Sequence, residues 1–279
     1  MREEREFPTI PDWLRADCAT IARARLRRFG SELADLEFAF GHESNPLLIA
    51  RLLSQCTRTS NGAALTAATM LNLPVGLQLE ALLALAEMTS DQPLTWLFCC
   101  EAVQCQRESE FQLTSEELSL LADRWRARET MEADLAGRRL ILRRPTGRDQ
   151  LDWLERSDRE SAGTMLDKIL VSPSLDELVG AGIAIGKIEV FVDEAMDEFD
   201  PLPGFQMEVV CPECGARATV APGLTAAALQ RLVATQEALL DEVHQIASRY
   251  HWNEAEILRL PAWRRQGYLE RIDAAESLA

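Results

Sequence analysis

Residues 209–215 read VVCPECG, a stretch in which two cysteines flank a tight turn. Cys211 and Cys214 are separated by two residues, so both thiolates could bind one tetrahedral metal ion. Gly215 suits the positive φ that such a turn requires. The same spacing serves thiol redox chemistry, but the βαβ unit that accompanies redox motifs is not evident around it. The stretch therefore favours one half of a metal site over a redox centre.

A second cysteine pair lies on another predicted hairpin, in the sequence LTWLFCCEAVQCQRESEFQLT at 94–114. Alternating apolar residues before and after the cysteines predict strand, turn and strand. Cys100 and Cys105 have four intervening residues, which is within the range of structural zinc sites. Cys99 competes with Cys100 as the ligand, and core packing is the alternative explanation of this pair. Together with Cys211 and Cys214 they predict a Cys₄ zinc site of the zinc-ribbon kind.

Helical periodicity covers most of the remaining chain, so the fold class predicted is α+β, mainly helical, with two cysteine-bearing β-hairpins. Thr114 and Thr146 are placed to cap helices, each with an acidic residue three positions later. The longest helix is predicted over 225–250, with one apolar stripe. The stripe comprises Leu229, Leu232, Val233, Leu240, Val243, Ala247 and Tyr250. Further helices are predicted at 11–30, 45–56, 73–90, 114–125 and 146–157, with two more after His251 and a strand at 138–145.

Four segments follow from this pattern. Residues 1–45 are predicted as an N-terminal helical extension and 46–145 as a first half of helices and one hairpin. Residues 146–224 form a second half with the CPECG hairpin, and 225–279 form the C-terminal helices. The repeated order of hairpin, Thr and helix in the two halves supports this division.

Composition limits the classes of function. The chain has 279 residues, 47% of them hydrophobic, and a net charge of −16. This charge repels phosphate backbones, so we expect no nucleic-acid partner. No apolar run approaches the roughly 20 residues of a membrane span, and the charged start MREEREF is unlike a secretory signal. Seven irregularly spaced cysteines in such a chain indicate reduced thiols in the cytoplasm.

Catalytic motifs are not found in the sequence. It contains no HExxH, GxSxG or Walker loop, and no acid–base pair is recognisable by spacing. The acidic run VDEAMDEFD at 192–200 is typical of a solvated helix face, and an acidic docking surface is the alternative interpretation. A Cys₄ site has no open coordination position, so it would stabilise the fold without performing chemistry. We therefore expect a non-enzyme; a hydrolase with unrecognised carboxylates is the least favoured reading.

The C-terminal segment is rich in aromatic and arginine residues, the types that protein interfaces favour as anchors. Its candidate partner-binding residues are Trp252, Trp263, Arg264, Arg265 and Tyr268. Helices this short are not stable alone, so the segment either binds a partner or folds back on the core.

A resemblance covers nearly the whole chain beyond residue 45. It rests on SNPLLIARLLSQC, LPVGLQLEALLALA, RRPTGRDQLDWL, DPLPGFQMEVVCPECG and LLDEVHQIASRYHWNEAEILRLPAWRRQGYLERI. The combination resembles the baseplate hub assembly chaperone family of T-even-type contractile phage tails and of related contractile injection systems. CCEAVQC departs from the CPxCG form, and residues 1–45 have no counterpart.

The resemblance implies a non-enzymatic assembly chaperone or structural component of a baseplate hub. Its partners would be other tail proteins. Its location would be the cytoplasm of the bacterial host, or the assembled phage-tail-like particle. The alternative from the residues alone is an intracellular zinc-binding adaptor or regulator that docks one partner protein.

Overall fold

The computed structural model describes residues 4–14, 24–41, 45–59, 65–90, 93–155 and 161–277. Within these ranges the strands pair only in antiparallel fashion, in four small sheets of order β1-β2-β3, β4-β5, β6-β7-β8 and β9-β10. The strands are β1 (Glu4–Glu6), β2 (Arg25–Arg27), β3 (Thr57–Arg58), β4 (Leu94–Cys99), β5 (Glu108–Leu113), β6 (Thr130–Leu135), β7 (Arg138–Arg143), β8 (Leu170–Ser172), β9 (Met207–Val210) and β10 (Arg217–Val220).

Helices contribute most of the regular structure, as predicted, so the chain is an α+β protein. The helices are α1 (Asn45–Cys56), α2 (Ala67–Leu71), α3 (Val75–Ser90), α4 (Ser115–Arg126), α5 (Gly147–Glu155), α6 (Ser161–Ile169), α7 (Leu175–Gly180), α8 (Ile185–Phe199), α9 (Leu224–Tyr250), α10 (Glu254–Leu258) and α11 (Ala262–Glu276). The predicted caps of α4 and α5 are confirmed: Thr114 and Glu117, and Thr146 and Asp149, exchange side-chain-to-backbone hydrogen bonds.

The N-terminal segment differs from its prediction. A helix was expected over 11–30, but Arg25–Arg27 form strand β2, which pairs with β1 on one side and β3 on the other. The part of that helix at 15–23 lies outside the described residues. Strand pairing prevails because Leu26 is fully buried between two partners that are distant in sequence. Phe29 and Leu52 share one core, so the segment is integrated with the residues that follow it.

Helix α3 is the centre of the first core. It is buried on nearly all sides, mostly by leucine and alanine, and packs against α1, α4 and α9. Its first turn receives a cap from far along the chain: the Gly76 N–H donates to Asp200 Oδ2 at 3.1 Å. A Cβ at Gly76 would lie 1.8 Å from Asp200 Oδ1, so only glycine fits there. Burial raises the pKa of Asp200 to about 6, and this residue of the acidic run 192–200 is not solvated.

Two further cores follow in the chain. The second lies between the β6-β7-β8 sheet and α6, α7 and α8, and includes Leu142, Leu178 and Ile188. The third lies where α10 and α11 fold back on the second half of α9.

The apolar stripe of α9 is partly misplaced in the prediction. Leu232 and Val243 are buried as expected, but Leu240 is exposed, and Leu239 and Ile246 are buried instead. The stripe shifts because α9 leaves the first core halfway along and continues into the third. Among the described residues, no helix combines the length and apolar character needed to cross a membrane.

Candidate metal centre

Two β-hairpins bring the predicted cysteine pairs together. Cys100 and Cys105 lie on the turn between β4 and β5, and Cys211 and Cys214 lie on the turn between β9 and β10. The four sulfur atoms all lie within 4.8 Å of one another. Each hairpin runs into a helix of the first core, β4–β5 into α4 and β9–β10 into α9. Because α4 and α9 pack in the first core, they fix the positions of the two hairpins and of the cysteine turns that the hairpins carry.

The two turns have the same backbone construction although their sequences differ. In each, the first cysteine N–H donates to the carbonyl two residues past the second cysteine: Cys211 to Ala216 at 2.8 Å and Cys100 to Arg107 at 3.0 Å. In each, the residue after the second cysteine has positive φ, 74° at Gly215 and 49° at Gln106. The first turn is thus a knuckle like the second, without the usual proline and glycine.

The sulfur spacing suits a tetrahedral ion. Cys100 Sγ lies 3.6 Å from Cys214 Sγ, and Cys105 Sγ lies 3.8 Å from Cys211 Sγ. A tetrahedron of sulfurs about 2.3 Å from a central zinc has edges of about 3.8 Å. A disulfide would require about 2.05 Å, so these are four free cysteines. The cluster could therefore hold one metal ion.

Backbone N–H groups prepare one thiolate for binding. The pKa of Cys211 is lowered to about 7, because the N–H groups of Cys214 and then Glu213 donate to its sulfur. At Cys100 the N–H of Ala102 acts in the same direction, but burial and the neighbouring thiols outweigh it and raise the pKa to about 12. Four adjacent thiols cannot all ionise without a cation. Metal binding must therefore release protons and weaken as pH falls.

The alternation of side chains along β4 shows that Cys100, and not Cys99, faces the other three cysteines. Successive side chains of a strand point to opposite faces. Cys100 is in phase with the buried Leu94 and Trp96, whereas Cys99 ends β4 opposite Glu108 with its side chain exposed. Cys99 is therefore not part of the cluster. Cys56 is buried, which raises the pKa of its thiol to about 12, as suits an inert core residue; Cys18 lies outside the described residues.

We predict that Gln106→Gly stabilises the protein. A residue other than glycine with positive φ in the left-handed region costs about 1–2 kcal/mol, and glycine removes most of that cost. Glycine also gives the unfolded chain more conformational entropy, which cancels part of this stabilisation. The expected increase in the free energy of unfolding is therefore about 0.5–1 kcal/mol. Urea denaturation of the metal-loaded protein measures it. Gly215→Gln, the reverse change on the other turn, should lower stability by about 1 kcal/mol. An unchanged or lower stability of Gln106→Gly would contradict the equivalence of the two turns.

The candidate partner-binding residues divide into two groups. Trp252 stacks on Tyr250 with ring centroids 5.3 Å apart, and Tyr268 meets both rings edge-to-face at 5.0–5.2 Å. These rings pack on the third core. Arg265 is buried and donates to Glu242 Oε2 at 2.9 Å. Trp263 and Arg264 are exposed. The segment thus folds back on α9 and leaves the side chains of Trp263 and Arg264 exposed to solvent.

Two buried charge networks were not predicted from the sequence. Asp35 is fully buried and accepts both Nη1 and Nη2 of Arg27 at 2.7 Å. Arg144, whose guanidinium lies 3.9 Å above the ring of Phe199, and Asp200 attract each other beside the first turn of α3 and form the other. Arg144 and Asp200 are far apart in sequence, so no local pattern predicts their interaction. Arg27 and Asp35 are eight residues apart, but the sequence gives no sign that both are buried.

Comparisons of this chain with protein-family models, with curated proteins and with solved structures find no match.

Proposed function

We propose that this chain is a non-enzymatic assembly chaperone or structural component of a contractile phage-tail-like baseplate hub. The single observation that carries the proposal is the exposure of Trp263, 76% of whose surface is accessible, on a helix whose other large apolar residues, Tyr268, Leu269 and Ile272, are packed in the third core. A large exposed aromatic on a rigid element is the pattern of a binding anchor. The sequence resemblance supplies the class of partner, which is another tail protein.

We further propose that the metal is zinc, in a zinc-ribbon-like unit. Four thiolates in a tetrahedron are a ligand set that zinc favours, and a closed set leaves no position for substrate. The ion would crosslink the two hairpins. These hairpins lead into α4 and α9, which both pack against α3. Zinc would thereby fix α4 and α9 on either side of the central helix α3. The partner would bind elsewhere, at the third core.

The anchor role of Trp263 is testable by alanine substitution. Trp263→Ala should weaken binding to the tail partner at least about tenfold, because a true anchor contributes about 2 kcal/mol or more. The melting temperature should not change, because the side chain is exposed. The measurement is co-purification of the tagged chain with co-produced tail and baseplate proteins, followed by affinity titration with the partner identified.

Leu120→Ala is the matched control, since it also removes an exposed apolar side chain but on α4. It should bind normally. If Trp263→Ala binds as well as the unchanged protein, Trp263 is not the anchor. If no tail protein co-purifies and a single unrelated partner does, the adaptor reading replaces the baseplate proposal.

A further inference from the structure

The four cysteines of the metal centre differ in their access to solvent. Cys214 is exposed and Cys105 is half-buried, whereas Cys100 and Cys211 are buried. In each turn, therefore, the first cysteine is buried and the second is accessible. Access to solvent is one of the two properties that decide which cysteines oxidise, the other being thiolate character. A small oxidant can thus reach one sulfur of each turn while the protein stays folded.

Each accessible sulfur lies against the buried sulfur of the opposite hairpin. Cys214 Sγ is 3.6 Å from Cys100 Sγ, and Cys105 Sγ is 3.8 Å from Cys211 Sγ. A disulfide bond is about 2.05 Å long, so each pair would have to approach by less than about 2 Å to form one. Both pairs cross from one hairpin to the other. Two disulfides in these positions would therefore join the same two elements as a bound metal ion.

We propose that the centre is redox-regulated, with hydrogen peroxide converting the four thiolates into two disulfides that join the hairpins and releasing the metal. The pairs are Cys100 with Cys214 and Cys105 with Cys211. The centre then has two crosslinked forms, one reduced with metal and one oxidised without it. Only the reduced, metal-free form lacks a crosslink between the hairpins. The inference rests on the proposed function for the identity of the metal, which is zinc.

The oxidation starts at the exposed thiolate. Cys214 Sγ attacks one oxygen of hydrogen peroxide, the O–O bond breaks, hydroxide leaves and Cys214 becomes a sulfenic acid. The Cys100 thiolate then attacks Cys214 Sγ, the S–O bond breaks and a second hydroxide leaves. Each sulfur loses one electron, and the two electrons reduce one peroxide to two hydroxide ions. A second peroxide oxidises Cys105 and Cys211 by the same two steps.

Disulfide mapping tests the pairing. The zinc-loaded protein is treated with two equivalents of hydrogen peroxide, remaining thiols are alkylated, and the crosslinked peptides are identified by mass spectrometry. We expect disulfides between Cys100 and Cys214 and between Cys105 and Cys211, together with release of the metal to a chromogenic chelator. Cys99→Ser, which removes the exposed thiol outside the cluster, is the matched control and should give the same two pairs. Disulfides within one turn, other pairs, or metal release without any disulfide would overturn the proposal.

Thermal unfolding of three forms of the protein tests whether oxidation replaces the metal as a crosslink. The oxidised, metal-free form should melt within about 5 °C of the zinc-loaded form, because both crosslink the hairpins. The reduced, metal-free form should melt at least about 10 °C lower. An oxidised form that melts as low as the reduced, metal-free form overturns the proposal.

The two experiments also separate this inference from the proposed function. If the purified protein holds zinc but peroxide gives other pairs, the redox proposal fails and the zinc assignment stands. If the protein holds no zinc but its reduced form gives the two expected disulfides, the pairing stands and the zinc assignment fails. Neither measurement requires a tail protein, so neither outcome depends on the baseplate proposal.

Discussion

Cys211→Ser should abolish stoichiometric metal binding and markedly destabilise the protein. Cys211 is a buried ligand whose sulfur accepts backbone N–H groups that lower its pKa to about 7, so its loss removes a thiolate that the turn is built to stabilise and leaves three cysteines. Zinc binding contributes about 10–16 kcal/mol in small isolated modules. This chain has three cores of its own, so we expect a smaller loss, on the order of 5 kcal/mol. The measurements are metal content by plasma mass spectrometry and thermal unfolding.

Cys99→Ser is the matched control, because it removes a neighbouring thiol that is exposed and lies outside the cluster. It should retain one metal ion per chain and unchanged stability. Removing the metal from the unchanged protein with a chelator should reproduce the loss of stability seen in Cys211→Ser. The centre is contradicted if Cys211→Ser keeps its metal, or if Cys99→Ser is the variant that loses it.

Asp35→Ala should destabilise the protein by about 3–5 kcal/mol, because it removes the buried partner of the Arg27 guanidinium and leaves only the more exposed Glu32 to pair with it. Asp35 also accepts hydrogen bonds from the backbone N–H groups of Gly30, Ser31 and Glu32, which would lose their acceptor. For a chain of this size the expected fall in melting temperature is about 10 °C. Glu37→Ala, which removes a nearby exposed carboxylate, should change stability by less than about 0.5 kcal/mol.

The pH dependence of the free energy of unfolding independently tests whether the ionised Asp35 stabilises the fold. Burial alone would raise its pKa, but the hydrogen bonds and charge of Arg27 outweigh burial and lower it. A carboxyl with a lowered folded-state pKa stabilises the protein above its unfolded pKa of about 3.9, and this stabilisation is lost as pH falls further. Asp35→Ala should therefore lose less stability than the unchanged protein on acidification below about pH 4. Parallel acid-unfolding curves for the two proteins would contradict the assignment.

Local patterns were sufficient to predict the cysteine site. The hairpins alternate in the strand period, and ligand spacing on a turn depends on a few adjacent residues. The choice of Cys100 over Cys99 also had a local signal, since Cys100 continues the even-numbered series of Leu94 and Trp96. Cysteine spacing does not predict that the Cys100–Cys105 turn has the same backbone construction as the Cys211–Cys214 turn. The reason is Gln106, which has positive φ at a position where glycine is the usual residue.

Non-local contacts explain the failures. Leu26 fits a helical spacing, but its pairing with Arg5 and Thr57 makes a strand. Leu239 is buried in place of Leu240 because it faces the chain at Gly30, far from α9 in sequence. Asp200 lies in an acidic run typical of a solvated face, yet it caps a helix that begins over a hundred residues earlier. Each outcome depends on a partner that no sequence window contains.

X-ray absorption at the zinc edge of the full chain, purified at neutral pH without added metal, tests the central claim most directly. Four thiolates from two knuckles predict one zinc per chain, with four sulfur neighbours at about 2.3 Å and no nitrogen or oxygen neighbour. Free cysteines without bound metal, or zinc with light-atom ligands, would contradict the account.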